Sequence, residues 1–124
     1  MLIRRTITAP HGLLFVSDAR AKHEVPADTG AANVTTTETS VAFWVLHEVD
    51  GEATIELTND PEIVPTGMAK VFDGTIKCPS RNISVSQPDL TEIASLEIAT
   101  DEPKVAIYTN DPDSPDQVVI QLSS

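Results

Sequence analysis

Apolar residues recur at every second position in nearly every hydrophobic segment of this chain, and turn residues separate the segments at short intervals. That period sends successive side chains to opposite faces of an extended strand, so one dry face per strand must find cover. Stripes with the 3.6-residue period of a helix are scarce. The architecture this predicts is all-β, an antiparallel sandwich of about eight short strands in two sheets.

The clearest unit is Val41 to Val49, rich in β-branched and aromatic residues, followed by Asp50-Gly51 and by Glu52 to Thr58. Asp-Gly supplies the positive φ that a tight hairpin turn demands, so the two segments are expected to pair antiparallel. In the second, Ala53, Ile55 and Leu57 alternate with Glu52, Thr54 and Glu56, giving a dry face and a wet one. The first is apolar on both faces and reads as a central strand.

Further strands are expected over Leu2 to Thr8, Gly12 to Ser17, Ala69 to Phe72, Thr75 to Cys78 and Asn82 to Ser86, with Asp73-Gly74 as a second hairpin turn. Ser95 to Ala99, Lys104 to Thr109 and Gln117 to Leu122 read as a C-terminal meander. Pro88 to Leu96 carries a competing reading as one helical turn or two, with Pro88 at the first helical position and Leu90, Ile93 and Ala94 on one side. Glu24 to Asn33, rich in Ala, Gly, Asp and Pro, reads as an exposed loop. Thr-Asn-Asp-Pro occurs at Thr58 to Pro61 and again at Thr109 to Pro112, each time after an alternating strand. Side-chain oxygens that cap nearby backbone, with a Pro that presets φ, make this a turn used twice rather than an internal duplication.

At 124 residues the chain is expected to form one domain, residues 1–124, able to bury a stable core without a staple. Its single cysteine, Cys78, closes no intramolecular disulfide. The first residues place Arg4 and Arg5 inside the apolar stretch and lack the continuous apolar region of a secretory signal, and no run approaches the roughly 20 apolar residues of a membrane span. A cytoplasmic protein is predicted. The formal charge is -11 and is unevenly placed: Met1 to His23 hold four basic residues (Arg4, Arg5, Arg20, Lys22) against Asp18, a balance of +3, so the remainder carries -14. An acidic body repels phosphate backbones, which argues against direct binding of nucleic acid, while it steers association with a basic protein.

Asp111, Asp113 and Asp116 are the candidate metal ligands, hard oxygens in one loop, but no Gly marks the sharp bend and no bidentate Glu follows at the calcium-loop offset, so an acidic surface turn is the plainer reading. His11, His23, His47 and Cys78 lack the paired spacing of structural zinc sites. No nucleophile elbow and no Gly-rich phosphate loop occurs, and neither catalytic residues nor a cofactor is expected. Cys78, alternating with Ile76 and followed by Pro79, reads as a small buried hydrophobe, His47 as a residue beside a turn, and Phe43 and Trp44 as packing on opposite faces of one strand.

Four segments in order, His11 to Asp18, the two-sided apolar strand in the middle, Pro79 to Ser86 after a short hairpin, and Pro115 to Leu122 at the end, together resemble the small β-sandwich proteins of the competence protein J, nuclease-inhibitor-like group. The resemblance spans most of the chain and implies a non-enzymatic protein that binds and inhibits a nuclease, with no catalytic residue to carry over. Tyr108 to Pro115 is also similar to the last-strand turn of immunoglobulin-like domains of the abnormal spindle and hydin type, over that turn only. The charge and the resemblance lead to the same expectation, a small acidic binding protein whose carboxylates occupy a basic partner. A small-molecule-binding or enzymatic sandwich is the alternative, its site at a loop rim walled by Glu24 to Asn33 and Asn110 to Asp116. A homodimer through an edge strand, Lys104 to Thr109 or Gln117 to Leu122, is a further expectation.

Overall fold

The alternation resolves into two apolar faces pressed together. The computed structural model describes residues 2–8, 12–19, 34–36, 39–46, 48–60, 62, 65–87, 91–111 and 115–123. Among these lie ten strands: β1 Leu2–Ile7, β2 Leu13–Asp18, β3 Val34–Thr36, β4 Ser40–Trp44, β5 Ala53–Thr58, β6 Ala69–Thr75, β7 Asn82–Ser86, β8 Glu92–Glu97, β9 Lys104–Thr109 and β10 Gln117–Ser123. The first sheet has the order β1-β5-β10-β9-β6 and the second β3-β4-β2-β7-β8. Every pairing is antiparallel except that of β5 with β10. The fold is an all-β sandwich, and no helix is long and apolar enough to cross a membrane among the described residues.

Each sheet gives the core every second residue. Ile55, Leu57, Val105, Ile107, Val118, Ile120 and Leu122 come from the first, and Leu14, Val16, Val41, Phe43, Ile83, Val85 and Leu96 from the second, all 6% exposed or less. Each such aliphatic side chain contributes about 1.5–3 kcal/mol of transfer free energy when fully buried. β5 keeps the expected split, with Ala53, Ile55 and Leu57 buried and Thr54 and Glu56 half-exposed. β4 is indeed internal, between β3 and β2. On its far side from the core, and on that of β2 and β7, Phe15, Ala42, Ser17, Ser40, Ser84 and Ser86 are also buried.

Five sequence expectations are corrected. Asp50-Gly51 does not close a hairpin: β4 and β5 belong to different sheets, and the chain crosses between them through a short 3-10 turn, Glu48–Asp50. A hairpin would have laid the second apolar face of β4 beside Thr54 and Glu56 on a wet face, a loss larger than a turn preference repays. Gly51 still uses its freedom, at φ 137°. Asp73-Gly74 lies inside β6, opposite Ala106 and Val105 on β9, with a bulge between Lys70 and Phe72. The Phe72 ring covers Gly74 so closely that a Cβ there would stand 2.9 Å from its Cζ, the packing that lets an edge glycine stay in a strand.

The C-terminal meander breaks after its first strand, because β8 pairs with β7 while β9 starts in the other sheet. That crossing is tied to the end of β6 by Ile76 N–H donating to Pro103 O at 3.2 Å and Cys78 N–H to Asp101 O at 2.7 Å. The helical reading of Pro88 to Leu96 gives way to β8, where Ala94 and Leu96 are buried while Ser95 and Glu97 are exposed; Pro88, Asp89 and Leu90 lie outside the described residues.

The strands expected to dimerise, β9 and β10, are both interior to their sheet. The edge strand β1 is blunted instead. Ile3 and Ile7 pack against the core, and Arg5, on the same side between them, is exposed and donates from Nη1 to its neighbour's carbonyl, Arg4 O, at 3.0 Å. A charge on the inward side of an edge opposes sheet extension. Arg5→Val is therefore expected to shift the chain towards concentration-dependent dimers or larger species, relative to the parent chain, in size-exclusion chromatography with light scattering; an unchanged profile would remove Arg5 from this role. Ser40 Oγ is buried with no hydrogen-bond partner, so Ser40→Ala is expected to leave stability unchanged or raise it by about 1 kcal/mol in chemical denaturation, the reverse of the usual loss on truncating a buried side chain.

Candidate functional site

The loop between β9 and β10 is built by its own side chains. Thr109 Oγ1 donates to Asp111 O at 3.2 Å, Asn110 Nδ2 donates to Asp116 Oδ1 at 2.6 Å, and Asn110 Oδ1 accepts from Gln117 N–H at 3.2 Å. The earlier copy of Thr-Asn-Asp-Pro works as a turn too, with Thr58 Oγ1 accepting from Asp60 N–H at 3.0 Å and Asp60 Oδ1 from Glu62 N–H at 2.9 Å. Pro115 is buried, and its carbonyl accepts from Leu46 N–H at 2.8 Å while Asp116 O accepts from Thr54 N–H at 2.8 Å. These two bonds pin the loop against the chain that crosses from β4 to β5.

That crossing presents an unusual side chain. Val49, on the 3-10 turn, is 79% exposed, followed on the same segment by the exposed Asp50 and Glu52. With Asp111 and Asp116, also exposed, one end of the sandwich offers four carboxylates beside an apolar knob. No Lys or Arg occurs in either segment, 46–54 or 109–117. Of the candidate metal ligands, Asp111 and Asp116 lie here, Asp116 already accepting from Asn110, and Asp113 lies outside the described residues. Among the described residues no three His, Cys, Asp or Glu side chains are grouped to hold a metal ion. Reading Val49 as the last residue of a strand hid this feature; its signal was a single apolar residue set among Glu48, Asp50 and Glu52.

A second surface is the outer face of the first sheet, where register aligns Arg4, Glu56, Val119, Tyr108 and Lys70 in one row across all five strands. Arg4 Nη2 stands 3.1 Å from Glu56 Oε1, Val119 is 5% exposed, and the Lys70 ammonium lies 5.7 Å from the Tyr108 ring centre and 3.2 Å from Asp73 Oδ2. Asp73 holds the Lys70 ammonium above the usual lysine range. A groove of about 340 Å³ crosses this face, lined by Arg4, Thr6, Thr54, Glu56, Gln117 and Val119, with Met68 beyond. A second hollow, about 360 Å³, lies where the same Met68 meets the β9–β10 loop, lined chiefly by Ala69, Val71 and Thr109 with Asn110 and Asp111. Of the two walls expected for a loop-rim site, the Asn110 to Asp116 side thus borders a hollow, and Glu24 to Asn33 lies outside the described residues.

Cys78 is fully buried, as its sequence context indicates, and donates from Sγ to Asn82 O at 3.3 Å. Beside it the buried Asp18 carboxylate accepts from Ser80 N–H at 2.9 Å and from Ser80 Oγ at 2.5 Å, fastening the end of β2 to the turn before β7, in which Arg81 adopts φ 59°. Burial, and then the Asp18 charge, push the Cys78 thiol up to about 11. Phe43 is in the core and Trp44 half-buried on the opposite face of β4; His11, His23 and His47 lie outside the described residues. The native thiol is expected to resist alkylation at pH 8 and to react promptly in guanidinium. Because the unfolded thiol ionises near 9 while the native one stays protonated towards 11, native stability should fall as pH rises through that window, and Cys78→Ala should flatten the fall.

No family model matches the chain, and no curated protein is significantly similar to it in sequence. Two solved structures share its fold along nearly the whole chain. The crystal structure of ComJ from Bacillus subtilis, an inhibitor of the DNA-degrading activity of NucA, superposes with a TM-score of 0.74 at 14% identity, over 100% of this chain and 98% of that one. The product of crocagin biosynthetic gene J superposes with a TM-score of 0.63 at 12% identity, over 98% of this chain and 96% of that one. The layout resemblance read from the sequence is therefore a likeness of fold that runs from end to end.

Proposed function

We propose that this chain is a non-enzymatic binding protein of the cytoplasm that inhibits a basic partner such as a nuclease, presenting the carboxylates of its loop end where the partner would hold nucleic acid. The observation that carries this reading is the exposed Val49 among Asp50, Glu52, Asp111 and Asp116. An apolar side chain supplies the desolvated anchor of a protein interface, and the surrounding like charges steer a cationic partner and fix its register. The end-to-end fold likeness to ComJ, itself an inhibitor of a nuclease activity, supports the same function. The mainly aliphatic lining of the hollow beside Asp111 suits an apolar side chain of a partner better than a polar substrate.

The test is an inhibition assay, with purified chain added to the DNA-degrading activity of its source cell and plasmid loss followed at low and at moderate salt. Protection is expected at low salt and should weaken as salt rises. Neutralising the end (Asp50→Asn, Glu52→Gln, Asp111→Asn, Asp116→Asn) or removing the knob (Val49→Ser) should raise the half-inhibitory concentration about tenfold or more. Neutralising Glu97, Asp101 and Glu102, away from these loops, should not. Absence of protection, or equal loss in both sets of folded variants, would overturn the reading.

A further inference from the structure

The groove on the outer face of the first sheet has polar and apolar parts arranged in order. Arg4 and Thr6 on β1 and Thr54 and Glu56 on β5 form one side, Gln117 and Val119 on β10 the floor, and Met68 the other side. Two polar pairs are set by register: the Thr6 and Thr54 hydroxyls face each other at 3.3 Å, and Arg4 reaches Glu56 Oε1 through Nε at 3.2 Å and through Nη2 at 3.1 Å. The Arg4–Glu56 pair is a surface pair, with side chains 63% and 22% exposed, and a pair of that kind contributes little by itself. Its partners are therefore available for exchange.

We propose that this groove is a binding site for a small zwitterion, a free α-amino acid with an apolar side chain. The ligand's carboxylate takes the planar fork of Arg4, its ammonium takes Glu56, and the Arg4–Glu56 ion pair is replaced by two. Thr6, Thr54 and Gln117 supply neutral hydrogen bonds along the same floor, while Met68 and Val119 receive the apolar side chain. The overall charge of -11 weighs against an anionic ligand. A net anion would be repelled by the protein's field and by Glu56, a simple cation would meet Arg4, and a molecule carrying both charges avoids both costs. The volume of about 340 Å³ lies at the small end of the range for ligand pockets. This site is on a sheet face rather than on the carboxylate-bearing loop end, and it does not depend on the inhibitor reading.

The experiment is a titration of the ¹⁵N-labelled full chain with leucine, followed by amide and methionine methyl shifts. Saturable shifts are expected at Thr6, Thr54, Gln117 and Met68 at millimolar leucine. N-acetylleucine, which lacks the ammonium, leucinamide, which lacks the carboxylate, and glycine, which lacks the side chain, should each bind about tenfold more weakly or worse. Arg4→Gln and Glu56→Gln should each cost a similar factor, with the amide spectrum reporting that the variant is folded. Met68→Ala should erase the preference for leucine over glycine while leaving the need for both charges, which a merely destabilised groove would not do. No saturable shift with leucine, equal shifts with the two blocked analogues, or shifts confined to residues outside the groove would overturn the proposal.

Discussion

Two apolar faces must close on each other, and the rest of the structure follows from that constraint. Strands pair to satisfy their backbone, but it is the inward rows, such as Val41 and Phe43 from β4 and Ile55 and Leu57 from β5, gathered in one core, that make the sandwich stable. Two strands adjacent in sequence that both carry a dry inner row can serve this core from opposite sheets as well as from one. The chain does so four times, at β1 to β2, β4 to β5, β6 to β7 and β8 to β9. Backbone bonds pin these crossings, Leu46 to Pro115 at β4 to β5, and Cys78 to Asp101 between the β6-to-β7 and β8-to-β9 connections.

This explains what was legible in the sequence and what was not. Alternation is a local property of a strand, and β7 and β9 coincide with their expected limits, Asn82–Ser86 and Lys104–Thr109. Sheet membership is a property of distant contacts, and alternation is the same in either sheet, so the pairing of β4 with β2 and of β8 with β7 left no local mark. Both Asp-Gly steps misled for that reason. A turn preference of order 1 kcal/mol at Asp50-Gly51 stands against burial of both faces of β4, several side chains at about 1.5–3 kcal/mol each. At Asp73-Gly74 the Phe72 ring fills the place of the missing side chain and keeps the strand running.

The surfaces were less legible than the core. The net charge showed that carboxylates dominate, but 19 acidic residues spread along the chain do not announce which of them meet. Asp111 and Asp116 were noticed for their spacing and proved to be parts of a hydrogen-bonded turn; Asp50 and Glu52 join them only because Thr54 and Leu46 bond to the backbone of that turn. The row from Arg4 to Lys70 is equally invisible in sequence, since its five members come from five strands. Asp18, counted in a segment with net positive charge, is structural, a buried carboxylate that accepts twice from Ser80.

Val49 is the point at which local pattern and global fold disagree, and the disagreement carries meaning. An alternating strand through Val49 would have buried it; the crossing leaves it 79% exposed instead. Exposing one valine forgoes about 1.5–3 kcal/mol and leaves an apolar side chain for a partner to cover. Its segment is held by backbone bonds rather than by the charges around it, so Asp50, Glu52 and Val49 stand in place before any partner arrives, and little conformational entropy is left to lose on contact. Carboxylates placed by a rigid backbone can also repel one another without the loop opening, and such a cluster of like charge draws in a cationic surface.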